Sequence, residues 1–297
     1  MLRALGLGDL LTGVPALRAL RRAHPGVHVQ LAAPAAIAEL ALATGAVDDV
    51  VDVGPLARLP ARVAGAELAV NLHGRGPQST EVLRASGPRR LLAYGEYGRV
   101  WRADEHEVDR WCRLLAESGI PADRIDLHVD VAPAGPPAVL IHPGAAAASR
   151  RWPADRWAAV ARGLAAGGEQ VLITGGPDEV TLAAEIAAGA GLPDDAVVAG
   201  RTGLLELAGL VAAARLVVAP DTGVGHLATA TGTASVLLFG PTPPRLWGPP
   251  PERARHRVLW AGRSGDPLGS RPDPGLLCLT PEMVLLACVE ALAGQET

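Results

Sequence analysis

Residues 219–228 read Ala-Pro-Asp-Thr-Gly-Val-Gly-His-Leu-Ala, and the class of the fold follows from what surrounds them. An apolar run at 216–219 delivers the chain to Asp221, and helical spacing begins at about Gly223. A buried strand followed at once by a glycine-rich helix start is the repeating unit of an open α/β sheet. Ligands of such sheets sit at the carboxyl ends of the strands. The first-turn amides of the helix are unpaired and carry the positive end of its dipole, which suits a phosphate or diphosphate. Gly223 and Gly225 leave room for a ligand against the backbone, and His226 on the first turn can donate to a phosphate oxygen. The plain alternative makes Asp221 an N-cap and His226 an ordinary helix residue. Asp-Thr-Gly also marks aspartic proteases, but those need a pair of such loops on an all-β scaffold, so that reading is discarded.

Working outward, the same alternation continues on both sides. Downstream of residue 137 the pattern predicts strands at 138–142, 170–174, 197–199, 216–219 and 234–239. Helices at 154–166, 179–188, 204–214 and from about 223 lie between them. A last helix at 281–292 opens with Thr280 as N-cap and Pro281 at its first position. Upstream, strands are predicted at 2–7, 27–32, 50–53 and 68–72, with helices at 10–24, 35–44 and 104–118. Between the blocks, Val131-Ala-Pro-Ala-Gly-Pro-Pro137 carries three prolines in seven residues and reads as a linker. The expectation is two Rossmann-like, doubly wound α/β domains, residues 1–133 and 138–297, facing a central cleft.

Composition narrows the function. Of 297 residues 49% are apolar, 3% aromatic and 20% charged, which excludes a disordered chain. No apolar run approaches the ~18 residues of a membrane-spanning helix, and the opening residues do not read as a signal peptide. A net charge of −4 gives no general surface for nucleic acid. All 27 basic residues are Arg, so mechanisms that need a lysine Schiff base or a P-loop lysine are excluded. Cys112, Cys278 and Cys288 form no Cys-x-x-Cys pair and read as buried, reduced residues of a cytoplasmic protein.

Three further loops follow strands. Gly6-Leu7-Gly8-Asp9 has the position of a dinucleotide fingerprint but lacks the third glycine. The strand at 27–31 also ends without the ribose-binding acid, which disfavours the alternative of an NAD-dependent oxidoreductase. Asp9 then reads as a helix cap, or as an acid facing the cleft. Ile141-His-Pro-Gly-Ala-Ala-Ala-Ala-Ser-Arg-Arg-Trp-Pro153 sets Arg150 and Arg151 beside a small-residue loop, an anion cradle or a surface loop with Trp152 packed beneath it. Glu179, closing Gly175-Gly-Pro-Asp-Glu, can bond ribose hydroxyls or favour a helix start.

Taken in order, Gly-x-Gly-Asp, His-Pro-Gly…Arg-Arg-Trp-Pro, Gly-Gly-Pro-Asp-Glu and Asp-Thr-Gly-x-x-His…Leu-Phe-Gly-Pro-Thr…Trp-Gly-Pro resemble glycosyltransferase family 9. These are the ADP-heptose:lipopolysaccharide heptosyltransferases and their relatives. The resemblance runs from Gly6 to the final helix. It implies a GT-B fold with the acceptor on the first domain, the nucleotide-sugar on the second, and the last helix packing back on the first. It also implies inverting, metal-independent transfer of a sugar, heptose by analogy, from an ADP-sugar to a hydroxyl of a glycan or small molecule. Carried over, Asp9 looks like the general base, and Arg150 falls where the family often has a Lys beside the donor diphosphate. Glu179 looks like the ribose contact, while Asp221, Thr222, Gly223 and His226 look like the donor loop and helix. No metal and no cofactor beyond the donor is expected, and no Asp-x-Asp motif argues otherwise. The location implied is the cytoplasm, peripheral at the membrane where the acceptor is membrane-borne. A non-catalytic nucleotide-sugar binder on the same fold is the other alternative.

Two features depart from the family pattern. The loop after His-Pro-Gly has alanines at 145–148 where relatives often carry hydroxyls, leaving backbone amides or Ser149 for phosphate. The cations available to an anionic acceptor in the first half are Arg75, Arg84, Arg89 and Arg90, and the composition is that of a GC-rich organism, which leaves the acceptor open.

Overall fold

A computed structural model describes residues 1–294, and the chain divides into two α/β units, Met1–Asp130 and a second from Val131 on. In the first unit, strands β1 (Gln30–Ala33) and β2 (Asp49–Asp52) form one parallel pair, and β3 (Leu68–Val70) and β4 (Arg90–Leu92) another. Leu2 links the pairs, bridging Ala32 on one side and Asn71 on the other, both in parallel register. The strand expected at 2–7 therefore shrinks to this bridge. The chain leaves the sheet in a tight turn, in which the Leu5 amide donates to the Arg3 carbonyl, and the helix Leu7–Ala23 begins three residues before the predicted start. The cause is Arg3. Its side chain is fully buried beneath the helix start, donating to the backbone carbonyls of Asp9 and Leu72 and to Thr12 Oγ1, so the helix is anchored from below.

The amino ends of these strands enclose a cavity of about 350 Å³ lined by Val29, Gln30, Leu68, Val63 and Arg90. Asp9 belongs to the opposite, carboxyl ends.

The second unit holds one five-stranded parallel sheet. Its strands are β5 (Val139–Ile141), β6 (Val171–Ile173), β7 (Leu216–Pro220), β8 (Ser235–Phe239) and β9 (His256–Trp260), in the order β6-β5-β7-β8-β9. β5, β6, β7 and β8 are buried at every residue, which is why they read as continuous apolar runs. β9 lies at the edge and is half-buried, and its His256 and Arg257 hide it from an apolar pattern. The strand expected at 197–199 is a single bridge between Val197 and Ile173.

Helices Ala154–Ala166 and Pro281–Ala293 both pack in this unit, and Gly163 leaves the space that Leu285 fills. The buried stripe of the last helix, Val284, Ala287, Cys288, Ala291 and Leu292, belongs to the core of the second unit. Among the described residues no helix is long and apolar enough to cross a membrane.

Candidate active site

The chain turns from β7 into the helix Gly223–Thr231 as its opening motif requires, but Thr222 is the N-cap residue, not Asp221. Thr222 is extended (φ −145°) and gives the helix no side-chain cap; its hydroxyl donates to the Pro220 carbonyl, 3.3 Å away. The positive end of this helix therefore carries no side-chain cap, the condition an anion site needs. Asp221 is buried beside it. Burial pushes its carboxyl up to about 6, against the pull of the Arg150 guanidinium and a hydrogen bond from Thr242.

Arg150 sits at the same spot: its Nη1 donates to the Asp221 carbonyl at 2.9 Å, while its Nε is buried without a partner. A cation anchored at an uncapped helix start is a matched pair for a diphosphate. His226 meets Trp247 edge-on at 5.9 Å, and both line a small cavity with Asp221, Thr222 and Pro249.

Other expectations change. A Cβ at Gly225 would stand 2.9 Å from Leu237, so this glycine serves helix-on-strand packing as well as lining the small cavity. Ser149 is buried and its hydroxyl donates to the Pro267 carbonyl at 3.0 Å, which takes it away from phosphate. Trp152 is a core residue, edge-on to Trp157 at 5.0 Å and donating to the Leu279 carbonyl at 3.2 Å. Glu179 accepts from the Gly176 amide at 2.8 Å, and its carboxylate lies against Gly144, where any side chain would collide with it. The neighbouring His142 is kept neutral by burial and pairs with Thr174 at 3.1 Å.

In the first unit, Asp9 occupies the third position of the helix that starts at Leu7, with Gly6 as N-cap. It is no N-cap; its carboxylate reaches back to the Gly6 amide. Burial raises its pKa, and the Arg3 guanidinium, 3.7 Å from Oδ1, opposes that rise. Arg3 also binds Glu107 Oε1 at 3.1 Å, and Glu107 in turn holds Arg110 and accepts from Trp111 Nε1 at 2.7 Å.

Arg3, His73 and Glu107 escaped the sequence reading. The available signal was Arg3 itself, a lone cation in an apolar strand, which must be paired if the strand is buried. The cations proposed for an anionic acceptor do not gather here. Arg84 pairs with Glu81 and Glu96, Arg89 with Glu67, and Arg90 opens β4 at the far end of the sheet. Only Arg75, exposed in the loop after β3, follows the carboxyl end of a strand as Asp9 does.

Of the three cysteines, Cys112 and Cys288 are buried as expected, but Cys278 is exposed. No cluster of metal-ligating side chains exists among the described residues.

Comparison with known proteins supplies the family. The model described as "Glycosyltransferase family 9 (heptosyltransferase)" matches residues 86–267. The chain is 28% identical to lipopolysaccharide heptosyltransferase 1 of Pseudomonas aeruginosa over 288 residues, 84% of this chain and 80% of that protein. Several other heptosyltransferases match over less than half of their own length. Among solved structures, E. coli ADP-heptose lps heptosyltransferase II matches with a TM-score of 0.79 at 20% identity, covering 100% of this chain and 98% of that one. The dodecameric, iron-containing glycosyltransferase TibC from enterotoxigenic E. coli matches with a TM-score of 0.62 at 16% identity, over 98% and 76%. These structures carry the GT-B fold, and the present chain shares it.

Proposed function

The chain belongs to glycosyltransferase family 9, and from that premise we propose that it transfers heptose from ADP-heptose to a hydroxyl of a glycan or small-molecule acceptor, with inversion and without a metal. The observation that carries this reading is the uncapped helix start at Thr222–Gly223 with Arg150 anchored beside it. In the reaction, Asp9 takes the proton of the acceptor hydroxyl. The freed oxygen bonds to the anomeric carbon as the bond from that carbon to the diphosphate breaks. ADP leaves with its new charge facing the first-turn amides and Arg150, the role a metal ion plays elsewhere. Burial makes Asp9 a stronger base than an exposed carboxylate, and Arg3 helps to keep it ionised at neutral pH.

Glu179 uses one oxygen on the Gly176 amide and has the other for the ribose. His226 and Thr222 complete the donor site. The absence of any lysine makes Arg150 the cation of choice for the diphosphate, and its fork suits that partner. Three free thiols agree with a cytoplasmic location, peripheral at the membrane if the acceptor resides there.

The decisive experiment supplies ADP-heptose without acceptor and follows ADP release. A transferase hydrolyses its donor slowly, with water in place of the acceptor; a purely binding protein releases no ADP. Calorimetric titration with ADP, UDP and NAD tests the nucleotide. Binding of NAD in preference to ADP revives the oxidoreductase reading.

A further inference from the structure

β3 continues through Asn71 and Leu72 to His73, so this histidine follows the carboxyl end of the strand that neighbours Leu2. Its position is set from inside the protein. Asn71 is fully buried; its Nδ2 donates to Ser79 Oγ at 2.9 Å and Thr80 Oγ1 at 3.0 Å. Its Oδ1 then accepts from the His73 amide at 3.0 Å. Every hydrogen-bonding group of the Asn71 side chain thereby fixes this turn.

The imidazole itself is not used in that way. It is half-buried, and its Nδ1 is buried without a partner. An unmatched buried nitrogen on so firmly held a backbone asks for an explanation. His73 and Asp9 are near enough for each to feel the other's charge. Burial and the Arg3 guanidinium hold the ring neutral, and a neutral imidazole both donates and accepts, as a sugar hydroxyl does.

We propose that His73 is the acceptor-binding residue of the first unit, hydrogen-bonding the attacking hydroxyl and aiming its oxygen while Asp9 takes the proton. The inference rests on the proposed transfer reaction. The bonds made and broken are those given above, with His73 neither gaining nor losing a proton overall. Nothing stands within 4 Å of where a side chain on Gly74 would be, so an acceptor can approach beside the ring.

The test uses the full chain, ADP-heptose and water as the acceptor probe. His73→Ala is expected to release ADP about tenfold more slowly, the effect of losing one hydrogen bond of ~1.4 kcal/mol. Its Kd for ADP and its Tm should match the wild type. His73→Gln, which keeps a donor and an acceptor, should recover most of the rate. Asp9→Asn is the control for the reaction itself. A slow Asp9→Asn beside a His73→Ala at the wild-type rate overturns the role of His73 alone. An Asp9→Asn at the wild-type rate, or a wild type that releases no ADP, overturns the reading on which the inference rests. If both His73 variants lose Tm and ADP affinity together, the residue is structural and the proposal fails.

Discussion

One substitution separates the structural bond of Asp9 from its proposed role as the base. At the third helical position its carboxylate accepts from the Gly6 amide, and an asparagine carbonyl can keep that bond. Asp9→Asn is therefore expected to fold and bind ADP normally yet lose roughly 10²–10⁴-fold in turnover. Near-normal turnover, with chemistry shown to be rate-limiting, removes Asp9 as the base. Arg150→Ala should depress turnover more than ADP affinity, because in the proposed reaction the guanidinium answers charge that develops only as the diphosphate departs. Added Mg²⁺ should not rescue it, and EDTA should leave the wild type active; loss of activity in EDTA refutes the metal-free mechanism. Asp221 adds a pH dependence. Its folded pKa, about 6, stands above the ordinary carboxylate value, so the native state binds the proton more tightly than the unfolded chain. Stability is accordingly lost as pH rises from about 4 to about 6. Asp221→Asn, uncharged throughout, should melt higher than the wild type at pH 7 and nearly with it at pH 4.

Elements, more than single residues, explain what could be read in advance. β5, β6, β7 and β8 were legible because burial on both faces leaves only apolar side chains. Strand β4 was not, since Arg90-Leu-Leu follows Arg89 and has too few residues to show a period. β9 hides behind His256 and Arg257, as an edge strand can. The first strand was overextended because the apolar run gives no sign that Arg3 anchors the next helix from below. In the loop after β7 the alternative that made Asp221 the N-cap misses by one residue: Asp and Thr both cap well, and only the backbone reveals which one stands at the boundary. The helix Gly223–Thr231 offers a direct check. Gly223→Val would put a branched side chain where the phosphate approaches, and ADP affinity should fall while the fold, judged by circular dichroism, persists. Unchanged affinity moves the diphosphate elsewhere.

At the scale of the whole molecule, two differently built units share one chain. The second rests on a continuous apolar core, including Trp152, Trp157 and the stripe of the last helix. The first adds a buried ionic network, in which Arg3 depends on Glu107 and Asp9. Breaking that network strands a guanidinium without solvent. Glu107→Ala is expected to cost about 3–5 kcal/mol, measured as a shift in the denaturant midpoint, and to affect ADP binding little if the first unit unfolds separately. A single transition shifted as a whole would instead mean that the two units melt together.

The uneven burial of the cysteines has a practical consequence. Cys278 faces solvent, while burial pushes the thiols of Cys112 and Cys288 up to about 12 and hides them from reagents. A maleimide fluorophore should couple at one position in the native protein and at three after denaturation. Cys278 directly follows the short helix Pro274–Leu277, whose capping Asp273 donates its amide to the Ser149 carbonyl, one residue before Arg150. A dye attached there is an optical reporter of movement beside Arg150, obtained without changing a single residue.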